Sequence, residues 1–343
     1  MKNRYVLWFS LIVLFFIMVF LFQGNKSRNT VFKNGGFTRN YLGDQYTLMD
    51  VKKTSHGYME PSGYRMDDLY LLDKTSGDVL LMKNEVDTIK LEKVNNHLLS
   101  GKKANRYYFL KDTLYVFDNK NFLCEKYLNT KKKTLISSNK LSGYILQPLV
   151  LPNGTVVYKS FLPKSSNIAL RLTDFMGKTY SNIELFPKGI TISDDGILQP
   201  YDKGFVYLCM YRNTVKLLNK KLQVQHTYKT IDTVNSSPEV VNLENGRTTY
   251  KIQPTFVNRA TFIYEDNLYV YSGIFADNDK NVSSFTRFIL DVYDIKGDFQ
   301  YLHSLKLQLP KGVKSIPGSF VINKNTLSLF FLDGLVIKYR SIL

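Results

Sequence analysis

Cysteine is nearly absent. Only Cys124 and Cys209 occur in 343 residues, so no disulfide framework and no Cys-x-x-Cys redox or zinc motif can be drawn. Cys209 lies in Phe-Val-Tyr-Leu-Cys-Met-Tyr, a setting that reads as a buried, inert thiol. Histidine is scarce too. His56, His97, His226 and His303 stand in four separate segments, none spaced i, i+4 or as His-x-His, so no metal site is written locally. A nucleophile elbow, a phosphate-binding Gly-Lys loop and a dinucleotide fingerprint are all missing, and Gly35-Gly36-Phe37-Thr38 is too short to stand in for one. The acidic pairs Asp67-Asp68 and Asp194-Asp195 fall in expected turns, which accounts for them without catalysis. No catalytic residue, metal ligand or cofactor is assigned from these residues.

Long like-charge runs are also missing, although the chain carries a formal charge of +17 from 46 basic and 29 acidic residues. Apart from Lys131-Lys132-Lys133 the basic residues are scattered. That pattern makes a general basic field rather than a nucleic-acid groove, and nucleic acid is not an expected partner.

One long apolar run is present. Tyr5 to Phe22 is interrupted by a clearly polar residue only at Ser10, and as a helix it extends about 27 Å against a hydrocarbon core of roughly 30 Å. The residues after it offer no convincing small-residue cleavage site, and no cysteine follows closely enough for a lipoprotein anchor. Residues 1–24 are therefore expected to form a signal anchor, a single transmembrane helix, with a cleaved signal as the alternative. Lys2 and Arg4 before the run are matched by Lys26 and Arg28 after it, so the positive-inside rule is nearly silent. Long domains on the carboxyl side translocate largely regardless of flanking charge, which places the body outside the cytoplasm. Residues 25–40 read as a polar tether, and residues 41–343 as the folded domain.

That domain is built on repetition. Glu265 to Ser272 (Glu-Asp-Asn-Leu-Tyr-Val-Tyr-Ser) is a turn feeding a short strand, and Met66 to Asp73 and Lys111 to Asp118 nearly repeat it. Looser copies begin at Asn153, Lys203 and Asn325. Numbered by their first apolar strand residue, the six copies fall at Leu69, Leu114, Val156, Phe205, Leu268 and Leu327, with gaps of 45, 42, 49, 63 and 59 residues. This is the length of a propeller blade. The aromatic content, 14% of the chain, suits pleated, half-buried strands. The expected fold is all-β, a six-bladed β-propeller with five or seven blades as alternatives, preceded by the transmembrane helix. The chain ends on only three strands, so the last blade needs a fourth from between about Phe37 and Lys53, a splice that leaves no open sheet edge.

Two shorter echoes point at the channel. Gln147-Pro148, Gln199-Pro200 and Gln253-Pro254 each stand shortly before a marked strand. Either the proline marks the start of an innermost strand, or the three amides ring the channel mouth and bind a ligand. Asn105-Arg106 and Asn258-Arg259 recur about three blade lengths apart, on opposite sides of a six-bladed ring. They are either inter-blade packing residues or guanidiniums aimed at an anionic ligand. The candidate ligand-binding residues are thus Gln147, Gln199, Gln253, Arg106 and Arg259.

The spacing and the Asp-x-Leu-Tyr-Val-x-Asp hairpins resemble the TolB-like and NHL-like six-bladed β-propellers of the Bacteroidetes-type cell envelope. Pro187-Lys188-Gly189-Ile190 through Asp194-Asp195-Gly196 resembles the Pro-x-Gly-Ile run of NHL and gluconolactonase-like blades. The likeness spans roughly residues 40–343 and implies an envelope propeller; with residues 1–24 as anchor, the expectation is a propeller in the periplasm or outside the cell, held to a bacterial inner membrane. Gluconolactonase-like propellers hold a divalent cation in the channel, for which Asp291, Glu265 or Asp202 would be the oxygen donors here. A non-enzymatic module binding an envelope protein or a small ligand is the leading expectation. A lactonase-like metal enzyme, a redox-associated propeller and a glycan or polymer binder are the alternatives.

Overall fold

The computed structural model describes residues 36–43, 45–65, 68–83, 85, 88–94, 106–111, 113–128, 134–141, 143–161, 168–174, 178–183, 185–186, 191–244, 248–279 and 286–341. The expected anchor, residues 1–24, lies outside them. Among the described residues no helix is long and apolar enough to cross a membrane.

Among the described residues twenty-six strands follow in order. They are β1 (Tyr46–Lys53), then β2 (Met59–Arg65), β3 (Asp68–Asp73), β4 (Val79–Lys83) and β5 (Lys90–Lys93), then β6 (Arg106–Leu110), β7 (Thr113–Asp118), β8 (Leu123–Leu128) and β9 (Thr134–Lys140). Next are β10 (Tyr144–Val150), β11 (Val156–Phe161), β12 (Ile168–Thr173) and β13 (Thr179–Ile183), then β14 (Gly196–Tyr201), β15 (Gly204–Cys209), β16 (Thr214–Asn219) and β17 (Val224–Lys229). A short hairpin, β18 (Val240–Asn242) and β19 (Thr248–Tyr250), intervenes. The chain continues through β20 (Asn258–Tyr264), β21 (Asn267–Ser272), β22 (Arg287–Asp294) and β23 (Gln300–Gln308), and ends with β24 (Pro317–Asn323), β25 (Thr326–Phe331) and β26 (Leu335–Ser341).

The arrangement is all-β and propeller-like. β10–β13, β14–β17 and β20–β23 are four-stranded sheets in sequence order, and a fourth sheet runs β1-β26-β25-β24. There β1 pairs antiparallel with β26, from Tyr46 opposite Ser341 to Lys53 opposite Leu335, so a strand from the amino-terminal side completes the last sheet. β2–β9 form one eight-stranded sheet. Each half of it is a four-stranded antiparallel meander, and the halves join where β2 and β6 run parallel, with Gly63 opposite Phe109 and Tyr64 opposite Leu110.

The repeated sequence stretches are the second strands of these meanders: β3, β7, β11, β15, β21 and β25. Their near-continuous apolar runs follow from burial on both faces, because side chains alternate across a strand. In β3, Leu69 and Leu71 pack with Val321, Phe330 and Val336 of the last sheet. Its Tyr70 and Leu72 turn the other way, onto Tyr107, Phe109 and Leu114. The Tyr70 and Phe109 rings stack at 3.9 Å between centroids. The same division recurs around the molecule. Tyr115 and Phe117 meet Val156 and Tyr158, while Val157 meets Phe205 and Tyr207. Val206 and Leu208 meet Leu268 and Val270, and Tyr271 and Phe288 meet Phe320 and Leu327. Each seam thus joins one meander to the next, and the last returns to the first. At about 2 kcal/mol for each fully buried large apolar side chain, these seams dominate the stability of the fold.

Polar side chains cross the seams as well. Lys159 of β11 is buried and donates to Asp195 at 2.5 Å and to the Gly196 carbonyl at 2.7 Å, tying its sheet to the next. Within the β14–β17 unit, Asp194 pairs with Arg212 at 2.6 Å. The Asp194-Asp195 pair, read from sequence as turn chemistry, therefore also neutralises basic residues. The cysteines are buried, unpaired and in different seams, and burial pushes the Cys209 thiol up to about 11.

Two residues of the segment read as a tether to Asn40 are docked on the domain. Phe37 packs on Val257, Ile274 and Ala276, and the Arg39 side chain is fully buried against Asp279 and Asp291. Phe37 and Arg39 thus belong with the folded domain. The reason is electrostatic, since only a guanidinium satisfies both buried carboxylates at once.

Thr233 and Val234 form part of the same dock, and Asp232 beside them gives it a pH signature. Burial raises the Asp232 carboxyl to about 6, against hydrogen bonds from Thr230 and from the Val234 amide. A group that titrates higher in the fold than in the unfolded chain, where it lies near 4, costs stability once ionised. That cost, about 3 kcal/mol above pH 6, fades as the pH falls toward 4. Asp232→Asn is accordingly expected to raise the denaturant midpoint at pH 7.5 and to match the wild type by about pH 4. A difference that does not vary with pH would contradict this origin.

Candidate ligand-binding cavity

The first strands of the six meanders are β2, β6, β10, β14, β20 and β24, and all of them line one cavity of about 480 Å³. Its wall includes Glu60, Arg106, Gln147, Gln199 and Arg259, with Tyr58, Tyr107, Tyr108, Phe262 and Phe320 among the aromatics. Burial pushes the phenols of Tyr58, Tyr107 and Tyr108 up to about 12, so all three stay neutral at ordinary pH.

Four of the five sequence-selected residues meet here, in different roles. Arg106 donates through one nitrogen to both oxygens of Glu60, at 2.9 and 2.7 Å, and Lys74 reaches the same carboxylate at 3.0 Å. Its charge is therefore balanced within the protein. Arg259, in the sheet across the cavity, has no acidic partner among the described residues. Aromatic faces hold it instead, its guanidinium carbon lying 6.0 Å from the ring centroids of both Phe256 and Tyr271.

The glutamines divide in the same way. Gln199 donates its amide to the Thr261 carbonyl at 3.0 Å, which joins β14 to β20 and gives it a structural task. The Gln147 side-chain carbonyl oxygen is buried without a hydrogen-bond partner among the described residues. Its backbone sits at φ 43°, in the left-handed region, where the β10–β11 register shifts between Leu146 and Leu149. Strain of this kind costs about 1–3 kcal/mol and gathers at functional positions. Gln253 stands apart from the other four. It is exposed, precedes β20 and does not line the cavity, because the β18–β19 insertion displaces that segment. Nor do the Gln-Pro pairs mark strand starts, since Gln147-Pro148 lies within β10 and Gln199-Pro200 near the end of β14.

Glu60-Pro61 is the member the sequence reading missed. It stands as far before Leu69 as Gln147 does before Val156, and its carboxylate in place of an amide hid the match. Among the described residues no group of three or more His, Cys, Asp or Glu side chains could hold a metal. Of the donors suggested for a channel cation, Asp291 is bound to Arg39 and Ser304, and none of Asp291, Glu265 and Asp202 lines the cavity.

No protein-family model and no curated protein matches the chain. Among solved structures, BamB from Moraxella catarrhalis is 9% identical with a TM-score of 0.43, covering 87% of this chain and 98% of its own. A catalytically inactive variant of virginiamycin B lyase from Staphylococcus aureus, solved with quinupristin, is 11% identical with a TM-score of 0.48, covering 87% of this chain and 100% of its own. YCF48 bound to D1 peptide is 9% identical with a TM-score of 0.49, covering 89% of this chain and 100% of its own. The propeller-like arrangement is carried by this chain's own sheets and seams.

Proposed function

We propose that the chain is a six-bladed propeller whose eight-stranded sheet is two neighbouring blades, and that it serves as a non-enzymatic binding module. In this reading residues 1–24 hold it to a bacterial inner membrane with the propeller in the periplasm or outside the cell. It presents one face to an envelope protein, and its cavity takes a small carboxylate-bearing ligand. One observation carries the ligand reading: a cavity bounded by all the innermost strands holds a guanidinium that no protein carboxylate balances among the described residues. Arg259 would receive the carboxylate, and the unpaired Gln147 oxygen would accept a hydrogen bond from an N–H or O–H of the same ligand.

Calorimetric titration of the full chain with aliphatic and aromatic mono- and dicarboxylates tests it. The expected result is binding by at least one of them, weakened about 10- to 100-fold in Arg259→Ala, the worth of a charge-assisted hydrogen-bond pair. Arg106→Ala would instead leave Glu60 short of a partner and act mainly on stability. Equal affinity in wild type and Arg259→Ala, or no binding across the series, would defeat the ligand reading.

A further inference from the structure

The β18–β19 hairpin belongs to the long connection between β17 and β20, and it leaves large aliphatic side chains bare. Val241 and Leu243 are exposed, and Ile252 just after the hairpin is 73% exposed. This is not a frayed loop. Val240 pairs with Tyr250 and Val241 with Thr249. Tyr250 docks on the body, donating to the Ile192 carbonyl at 2.6 Å and meeting Tyr211 edge to face at 5.4 Å. Side-chain alternation then turns Val241 away from the body.

The place of the hairpin matters as much as its composition. Turns of a meander alternate between the two ends of its strands, so the β17–β20 connection lies at the end that also carries the β25–β26 turn. Exposed Leu332 sits in that turn. The amino-terminal segment arrives at this end too, with Gly36 against Thr233 and Phe37 against Val257 and Ile274. From Phe22 to Gly36 the chain reaches at most about 50 Å, so the apolar run ends within that distance of the end that carries the hairpin.

We infer that this end of the propeller is seated on the lipid surface, with Val241, Leu243 and Ile252 entering the interfacial region of the bilayer. The inference rests on residues 5–22 being a membrane anchor. Aliphatic side chains on a fixed hairpin at the end where the anchored segment enters gain burial in a bilayer without a large ordering cost. Arg106 and Arg259 stand at the start of their strands, at the same end.

The chain's only tryptophan, Trp8, lies in the apolar run, which separates the two claims in one experiment. The full chain is reconstituted in phosphatidylcholine vesicles with acyl chains brominated at a shallow position. Quenching of Trp8 in the wild type reports the anchor. In Trp8→Phe/Leu243→Trp the new indole is expected to lose roughly half of its emission, as for a side chain at interfacial depth. In Trp8→Phe/Leu135→Trp, with the indole beside the β8–β9 turn at the opposite end, emission should be unchanged. Quenched Trp8 with an unquenched indole at position 243 would overturn the inference and leave the anchor standing. An unquenched Trp8 would overturn both. Equal quenching at positions 243 and 135 would show adsorption without orientation and would also overturn it.

Discussion

Arg39→Ala is expected to lower the free energy of unfolding by about 3–5 kcal/mol, the cost of leaving buried charge uncompensated. The side chain is 0% exposed, and the carboxylates of Asp279 and Asp291 are 0% and 5% exposed. Arg39 Nε donates to Asp291 at 2.7 Å. One terminal nitrogen donates to Asp279, and the other to Asp291 at 3.1 Å, to Ser272 at 2.8 Å and to the Ile274 carbonyl at 3.2 Å. Burial works against the guanidinium charge, but Asp291 and Asp279 outweigh it and hold the group protonated. Ser304 also donates to Asp291 at 2.6 Å, and Tyr41 donates to Asp279. Removing the cation strips partners from two carboxylates at once.

Two companions separate this mechanism from a simple loss of packing. Arg39→Lys keeps the charge but not the planar fork, so it should fall between wild type and alanine. The loss in alanine should be nearly independent of salt, because a buried pair is poorly screened. Denaturant unfolding of the full chain measures all three proteins. An Arg39→Ala cost below about 1 kcal/mol, the range of exposed ion pairs, would mean that the segment is not docked.

Gly63→Ala is expected to cost about 3 kcal/mol or more, combining backbone strain with overpacking. Gly63 sits at φ 124°, and a Cβ there would lie 1.9 Å from the Phe109 carbonyl oxygen, a backbone atom that cannot swing aside. This is where the two halves of the eight-stranded sheet meet in parallel. Ser62 anchors the same junction by donating to the Tyr107 carbonyl at 2.5 Å. Gly154→Ala is the control. Its φ of 82° is also unfavourable for alanine, but nothing lies within 4 Å of the added carbon, so it should cost only about 1–2 kcal/mol. Similar denaturant midpoints for the two variants would contradict the close approach of β2 to β6.

The repeated strands were legible in the sequence because each is buried on both faces. Leu69 through Leu72 and Phe205 through Cys209 have no solvent-facing side to interrupt the apolar run. Half of the cavity was legible for a related reason: Arg106 and Arg259 hold like positions near the start of innermost strands, so their spacing follows the repeat. Gln253 misled because a dipeptide echo is weaker than a structural one, and the insertion before β20 breaks the equivalence. Glu60 was hidden by its different chemistry. The Arg39 cluster left no local trace, since its acidic partners lie 240 and 252 residues away and meet it only in the fold. Anchor and tether readings on residues 1–35 lie outside the described residues.

The guanidinium of Arg259, which no carboxylate balances among the described residues, is the feature on which the proposed binding role depends. Native mass spectrometry of the full chain tests that role most directly. A small acidic molecule should be bound to the wild type and absent from Arg259→Ala. Wild type and Arg259→Ala carrying the same bound mass, or neither carrying any, would contradict it.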